Sequence, residues 1–210
     1  MRDNSTNYYQ RHYMNRMNWL NRLLYRLSAY CRCRIISGPD EQPYLERYHL
    51  LRLPFGYRIY LHRFVASDPG RGLHNHPWRH AISLLLCGTY QETRMLTAES
   101  NHALQRRWLR AGHLNYISGD VYHRINIAAG AECWSLFLHA PKTSDWGFIR
   151  RHQARHQTSL QSSIQTSIQT SIQYMDHNEV VTQASNPLWW KQALRPVQCP
   201  QMRLPISNCS

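Results

Sequence analysis

With 210 residues, of which 42% are hydrophobic and 11% aromatic, the chain has enough apolar material for one sizeable core with appendages but hardly for two full domains. Basic residues number 25 against 12 acidic ones, a formal charge of +13, and only Lys142 and Lys191 are lysines, so the charge is almost entirely guanidinium. The excess runs through the whole chain and favours anionic partners without choosing among metabolite, acidic lipid and nucleic acid; no window approaches the roughly 20 apolar residues of a membrane span.

Residues 1–40 form a basic extension. Within it Met14, Met17, Leu20, Leu23, Leu24 and Leu27 recur at three- and four-residue intervals, the apolar stripe of an amphipathic helix, while Arg16, Arg22 and Arg26 fall largely off it. Such a helix packs on the main domain or on a partner, or lies on a membrane surface. The six cysteines are scattered without a CxxC pair in a chain too large to need a disulfide scaffold, so reduced thiols in the cytoplasm are expected.

From residue 41 to residue 150 short runs rich in Tyr, Ile, Leu and Val, such as 57–65, 81–87, 114–117 and 133–138, alternate with Gly, Pro, Asp and Ser turn segments. Short strands at this spacing predict an all-β sandwich or barrel. Residues 151–173 contain the tandem tetrapeptides TSLQ, SSIQ, TSIQ and TSIQ and are expected to be a low-complexity linker, followed by an irregular tail over 174–210 that lies back on the domain.

The strongest chemical signal is Gly72-Leu73-His74-Asn75-His76-Pro77-Trp78. Residues two apart on a strand face the same side, so His74 and His76 can turn both imidazoles onto one ion, and His123, which follows the turn at Gly112 to Asp120, is the candidate third ligand. Three neutral imidazoles suit Fe(II), Zn, Ni, Cu or Mn far better than Ca or Mg.

These segments resemble the two motifs of the cupin superfamily, G-x5-HxH-x(3,4)-E-x6-G and G-x5-PxG-x2-H-x3-N. His74, His76 and the closing Gly88 match the first motif; Gly112 and His123 match the second. Ala81 stands where the first motif carries glutamate, and Ser118 and Asp120 replace the proline and glycine of the second. The likeness extends to small single-domain cupins that share HxHPW, the Gly88-Thr89-Tyr90-Gln91-Glu92 strand, His123-Arg124-Ile125 and Trp146-Gly147-Phe148.

The resemblance implies an antiparallel jelly-roll barrel over residues 41–150 with one divalent transition metal on His74, His76 and His123, Fe(II) first. Without the glutamate that face is neutral and attracts anionic chelating molecules, as in thiol dioxygenases. The implied function is an oxygenase-type, dioxygenase-like reaction on a small anionic molecule, with Tyr90 and Arg124 as catalytic residues and Arg79 and Glu92 as substrate contacts; Arg94 is a further candidate clamp and His80 a further candidate ligand. An isomerase, epimerase or lyase in which the metal only polarises a carbonyl is the alternative, followed by a non-catalytic ligand-binding or interaction module, with nucleic-acid binding ranked last. A homodimer is implied only by the habit of the family.

Overall fold

The computed structural model describes residues 19–38, 41–70, 72–96, 104–160, 163–176 and 189–203. Helix α1 (Trp19–Ser28) precedes β1 (Arg32–Ser37), β2 (Pro43–Arg52) and β3 (Arg58–Phe64). Then follow β4 (Leu73–His74), β5 (His80–Cys87), β6 (Thr89–Leu96), β7 (Leu104–Arg110), β8 (Leu114–Ser118), β9 (Val121–Asn126) and β10 (Cys133–His139). A long hairpin of β11 (Gly147–Leu160) and β12 (Ser163–Asp176) and a short helix α2 (Trp189–Gln192) complete the described elements.

Two six-stranded antiparallel sheets result, sheet A in the order β1-β2-β3-β10-β5-β8 and sheet B in the order β12-β11-β4-β9-β6-β7. Within them, β3-β10-β5-β8 faces β4-β9-β6-β7, so the chain crosses from one sheet to the other between sequence neighbours. This is the double Greek key of a jelly roll, with the two sheets packed rather than closed into a cylinder. Inward residues of both sheets, among them Leu45, Phe64, Leu85, Tyr90, Leu109 and Ile125, form the core of the sandwich.

Two glycines of the sequence motifs have a steric reason. Gly88 has φ +81° at the tight turn between β5 and β6, and a Cβ there would collide with the backbone carbonyl of Glu132. A Cβ on Gly119 would collide with the carbonyl of Trp78, whose chain carries the histidine pair.

The extension and the repeat differ from their sequence-based expectations. Residues 32–37 are a sheet strand, with Arg34 opposite Arg47, so the basic extension contributes to the barrel wall. Met14 and Met17 lie outside the described residues, and the stripe divides: Leu20 and Leu24 pack on the outer face of sheet A against Cys33, Tyr48, Leu61 and Trp134, while Leu23 and Leu27 are exposed. The tetrapeptide repeat runs as β12 and the end of β11, paired from Gly147↔Asp176 to Leu160↔Ser163, and β11 joins the barrel through Phe148↔His74 and Ile149↔Leu73. Residue 150 therefore falls inside a strand. A four-residue period is also a multiple of the strand's two-residue period, so Ile164, Ile168 and Ile172 take positions on one face together with Thr166 and Thr170. That β-branched face favours strand over linker.

A buried ion network fixes α1 to sheet A. Arg63 donates to Glu46 Oε1 at 3.0 Å and to Glu132 Oε2 at 2.8 Å, while Glu46 Oε2 accepts from the Tyr48 hydroxyl at 2.6 Å. Asn21 of the helix donates to Glu132 Oε1 at 2.9 Å, and the Arg63 guanidinium lies over Tyr25.

Candidate metal centre

The histidine triad is assembled by one short strand and one register. His74, the last residue of β4, sits directly opposite His123 of β9, which places their Cβ atoms side by side. Asn75 faces away and clamps the neighbouring strand: its side-chain oxygen accepts from the Gly147 N–H at 2.8 Å and its own N–H donates to the Gly147 carbonyl at 3.2 Å. The intervening residue of the HxH pair is thus structural, and it leaves His74 and His76 on the other side. Pro77 ends the turn with its carbonyl accepting from Thr143 at 2.8 Å and Ser144 at 3.2 Å.

Ring centroids of the three histidines stand 4.9, 4.8 and 5.0 Å apart, a near-equilateral triangle. One ligand nitrogen from each falls within 4.8 Å of the others, and His76 Nε2 approaches His123 Nε2 to 2.8 Å. Adjacent ligands about 2.1 Å from one ion and at right angles would be about 3 Å apart, so this pair already has the spacing of neighbours in a coordination sphere. Burial, followed by the charges of His123 and His74, holds the His76 pKa well below the usual imidazole range and keeps it in the neutral form that binds metal. The donor set fits a divalent transition metal.

Behind His123 lies the feature that motif spacing did not show. Glu92 of β6 is fully buried, and its Oε1 accepts from His123 Nδ1 at 2.7 Å. That bond commits the proton to Nδ1 and leaves Nε2 as the lone-pair donor, the carboxylate–histidine arrangement that orients metal ligands. The other oxygen of Glu92 pairs with Arg94 Nε and Arg107 Nη2, each at 2.8 Å, and Asn115 donates to both oxygens. Burial alone would raise this carboxyl's pKa, but His123 and Arg94 more than reverse it and hold it well below the usual carboxylate range.

Glu92 was expected as a substrate contact. It stands behind the ligand rather than in the open space, and Arg94 is tied to it and to Asn115. Arg124 follows His123 on β9, so alternation turns it to the outer face of sheet B, where it lines a surface hollow with Gln91, Thr93 and Arg106. Arg79 is exposed and is absent from the cavity lining. His80 leaves the triad too, its Nε2 lying 3.1 Å from the Tyr57 hydroxyl. Tyr90 does line the cavity; its hydroxyl accepts from Asn115 Nδ2 at 3.2 Å, and burial beside Glu92 pushes its pKa above the ordinary phenol range. Ala81, at the motif's glutamate position, is buried in an apolar cluster with Tyr60, Ile117 and Phe137.

The triad opens on a cavity of about 430 Å³ between the sheets, whose lining includes Leu45, Phe64 and Ile125 of the apolar core. Arg34, Arg47, Arg58 and Lys142 line it, against a single carboxylate, Asp68. Asp68 is itself engaged: its Oδ2 accepts from the Ile125 N–H at 2.7 Å and lies 4.0 Å from His74 Nδ1. Arg47 Nε donates to His62 Nε2 at 3.1 Å, and burial lowers the pKa of both. A band of stacked rings forms the wall: His76 on Trp78, Trp78 on His139 and His139 on Tyr60, at 4.4, 4.4 and 5.5 Å. His139 Nδ1 donates to the Ala140 carbonyl at 2.5 Å, which leaves Nε2 as an acceptor.

Burial holds the His139 pKa down to about 4. The unfolded chain binds a proton near pH 6.5 that the folded one refuses, so stability is full above pH 6.5 and declines as pH falls toward 4, by about 3 kcal/mol for this group. Urea midpoints measured between pH 7 and pH 4 should drop accordingly, and His139→Asn should flatten the slope.

A jelly roll with strand orders β3-β10-β5-β8 and β4-β9-β6-β7, and a histidine triad between its sheets, decides the architecture. The chain has the cupin fold. Neither a family model nor a curated protein matches it. Among solved structures, recombinant oxalate oxidase in complex with glycolate is 17% identical, with a TM-score of 0.37 over 44% of this chain and 45% of that one. Fe(II)-HppE in complex with substrate is 13% identical, with a TM-score of 0.42 over 53% and 57%. The cupin domain of Schizosaccharomyces pombe Cnp3 is 14% identical, with a TM-score of 0.35 over 47% and 65%. The matched part thus spans about half the length of the first two of these structures, at an identity that carries no substrate with it.

Proposed function

We propose that this cupin is a metal-dependent enzyme with oxygenase-type activity on a small anionic molecule, its metal held by His74, His76 and His123. The observation that carries the reading is the convergence of three imidazoles on a cavity whose lining holds four cations and one engaged carboxylate. A divalent ion held there, Fe(II) before Zn, Ni or Mn, would supply a Lewis acid and, as iron, a redox centre. Arg47 anchors the negative group of the substrate, with Arg34 opposite it on the neighbouring strand. His62 accepts from Arg47 and so directs its guanidinium. Trp78, Tyr60 and Phe137 exclude water from the cavity wall, His139 offers a neutral acceptor at Nε2, and Tyr90 is a hydroxyl held in place by Asn115.

The test is elemental analysis of protein purified without chelator, wild type beside His76→Ala, coupled to O2 uptake. Near one equivalent of iron, absent from the variant, and O2 uptake stimulated by small carboxylates or phosphates support the reading. Metal without O2 uptake under any substrate replaces it by Lewis-acid isomerase or lyase chemistry; folded wild type that takes up no metal on reconstitution overturns it. Once a substrate is in hand, Arg47→Gln should raise KM about 10- to 100-fold, the loss of one charge-assisted contact, with a far smaller change in kcat.

A further inference from the structure

Helix α1 is apolar on two sides. Leu20, Leu24 and Tyr25 are spent on sheet A, and Asn21 is bonded to Glu132. The adjoining side presents Trp19 (74% exposed), Leu23 and Leu27 (55% exposed), which fall within an arc of about 80° at 100° per residue, with Tyr30 (68% exposed) just past the last turn. The helix is not free to roll and hide them. Arg203 lies 3.5 Å over the Tyr25 ring and donates to the Tyr25 carbonyl at 2.6 Å and to Ser28 Oγ at 3.0 Å, while Arg63 holds the same ring from the sheet side.

The C-terminal segment extends this surface. Val197 N–H donates to the Ala29 carbonyl at 3.0 Å and Cys33 N–H to the Leu194 carbonyl at 3.1 Å, which sets the exposed side chains of Leu194 and Val197 beside the end of the helix. Arg26, Lys191 and Arg195 are exposed in the same two segments, and neither 19–38 nor 189–203 contains a single Asp or Glu. Exposed apolar side chains on two adjacent segments that carry cations and no acid have a definite complement. A second copy of the same face would bring guanidinium against guanidinium, whereas a bilayer with anionic headgroups meets both the apolar stripe and its border, with Trp and Tyr at the depth where such rings reside.

We propose that α1 and the 194–197 segment form a docking face for an anionic lipid surface, which would hold the sandwich at a membrane. Among the described residues no helix is long and apolar enough to span one.

The experiment is co-sedimentation of the full chain with vesicles of phosphatidylcholine alone and of phosphatidylcholine with phosphatidylserine, at low and at physiological salt. The wild type should pellet with the phosphatidylserine vesicles, at least tenfold more tightly than with phosphatidylcholine alone, and release as salt rises. Leu23→Asp/Leu27→Asp should lose at least tenfold in binding with an unchanged circular dichroism spectrum. Arg26→Gln/Arg195→Gln should keep only weak, salt-insensitive binding. Vesicles should shift the emission of the wild type to the blue, and Trp19→Phe should lose most of that shift. Absence of wild-type binding at low salt overturns the proposal, as does equal binding by the Leu23→Asp/Leu27→Asp variant. So does a wild type of twice the chain mass that becomes monomeric in that variant, because a second copy then covers the patch.

Discussion

Glu92→Gln should lower metal affinity by about 10- to 100-fold while leaving all three ligands in place. The amide can still accept from His123 Nδ1, but it no longer carries the charge that fixes the proton there, and its NH2 group can turn toward the ring instead. Metal titration with a competing chelator reads the change directly. Glu92→Leu should do more, because Arg94 and Arg107 both end on this carboxylate and Arg94 is buried with it. Removing the anion strands buried positive charge beside the ligand, which costs about 3–5 kcal/mol. Equal metal affinity in wild type and Glu92→Gln would show that His123 needs no partner to hold its orientation.

Arg63→Ala should be the most damaging single change on the opposite side of sheet A, at about 3–5 kcal/mol. Glu46 is fully buried and Arg63 is its charged partner at 3.0 Å; after truncation the Tyr48 hydroxyl would remain as a neutral donor to a buried carboxylate. The same guanidinium also neutralises Glu132, to which Asn21 of α1 is bonded, so the helix should loosen along with the sheet. Urea denaturation should show the loss in the midpoint. The double variant Arg63→Met/Glu46→Leu should recover much of it, since an apolar pair of similar volume leaves no buried charge.

The parts of this protein that could be read from sequence are those whose spacing is fixed by the strand. His74 and His76 share a face because they are two apart, and His123 follows its glycine at a distance set by one turn. The triad and the all-β architecture were therefore legible. The same rule separates Arg124 from the triad, since adjacency to His123 puts it on the opposite face.

Glu92 and Arg47 were harder because charge conventionally signals surface. Strands β1 to β3 are covered on both sides, by α1 outside and by sheet B across the cavity, so Arg63 alternates into a buried setting, Arg47 into the cavity, and no polar face marks the outside. The partners that make such burial tolerable, Glu46 for Arg63 and His62 for Arg47, come from other strands or other positions in the register. Periodicity likewise placed α1 but could not say that its stripe would be split between the sheet and solvent.

The β11–β12 hairpin gives the tetrapeptide repeat a particular tolerance to change in copy number. Its pairing is anchored at the base, where Gly147 meets Asp176 and Phe148 meets His74. Gain or loss of one four-residue unit near the tip lengthens or shortens the ribbon by two rungs and moves the turn, but four is even, so no residue nearer the base changes partner or face. Slippage in this stretch of the gene would thus be absorbed about as far from the histidine triad as the ribbon reaches, leaving strand β4 and its register with β9 untouched.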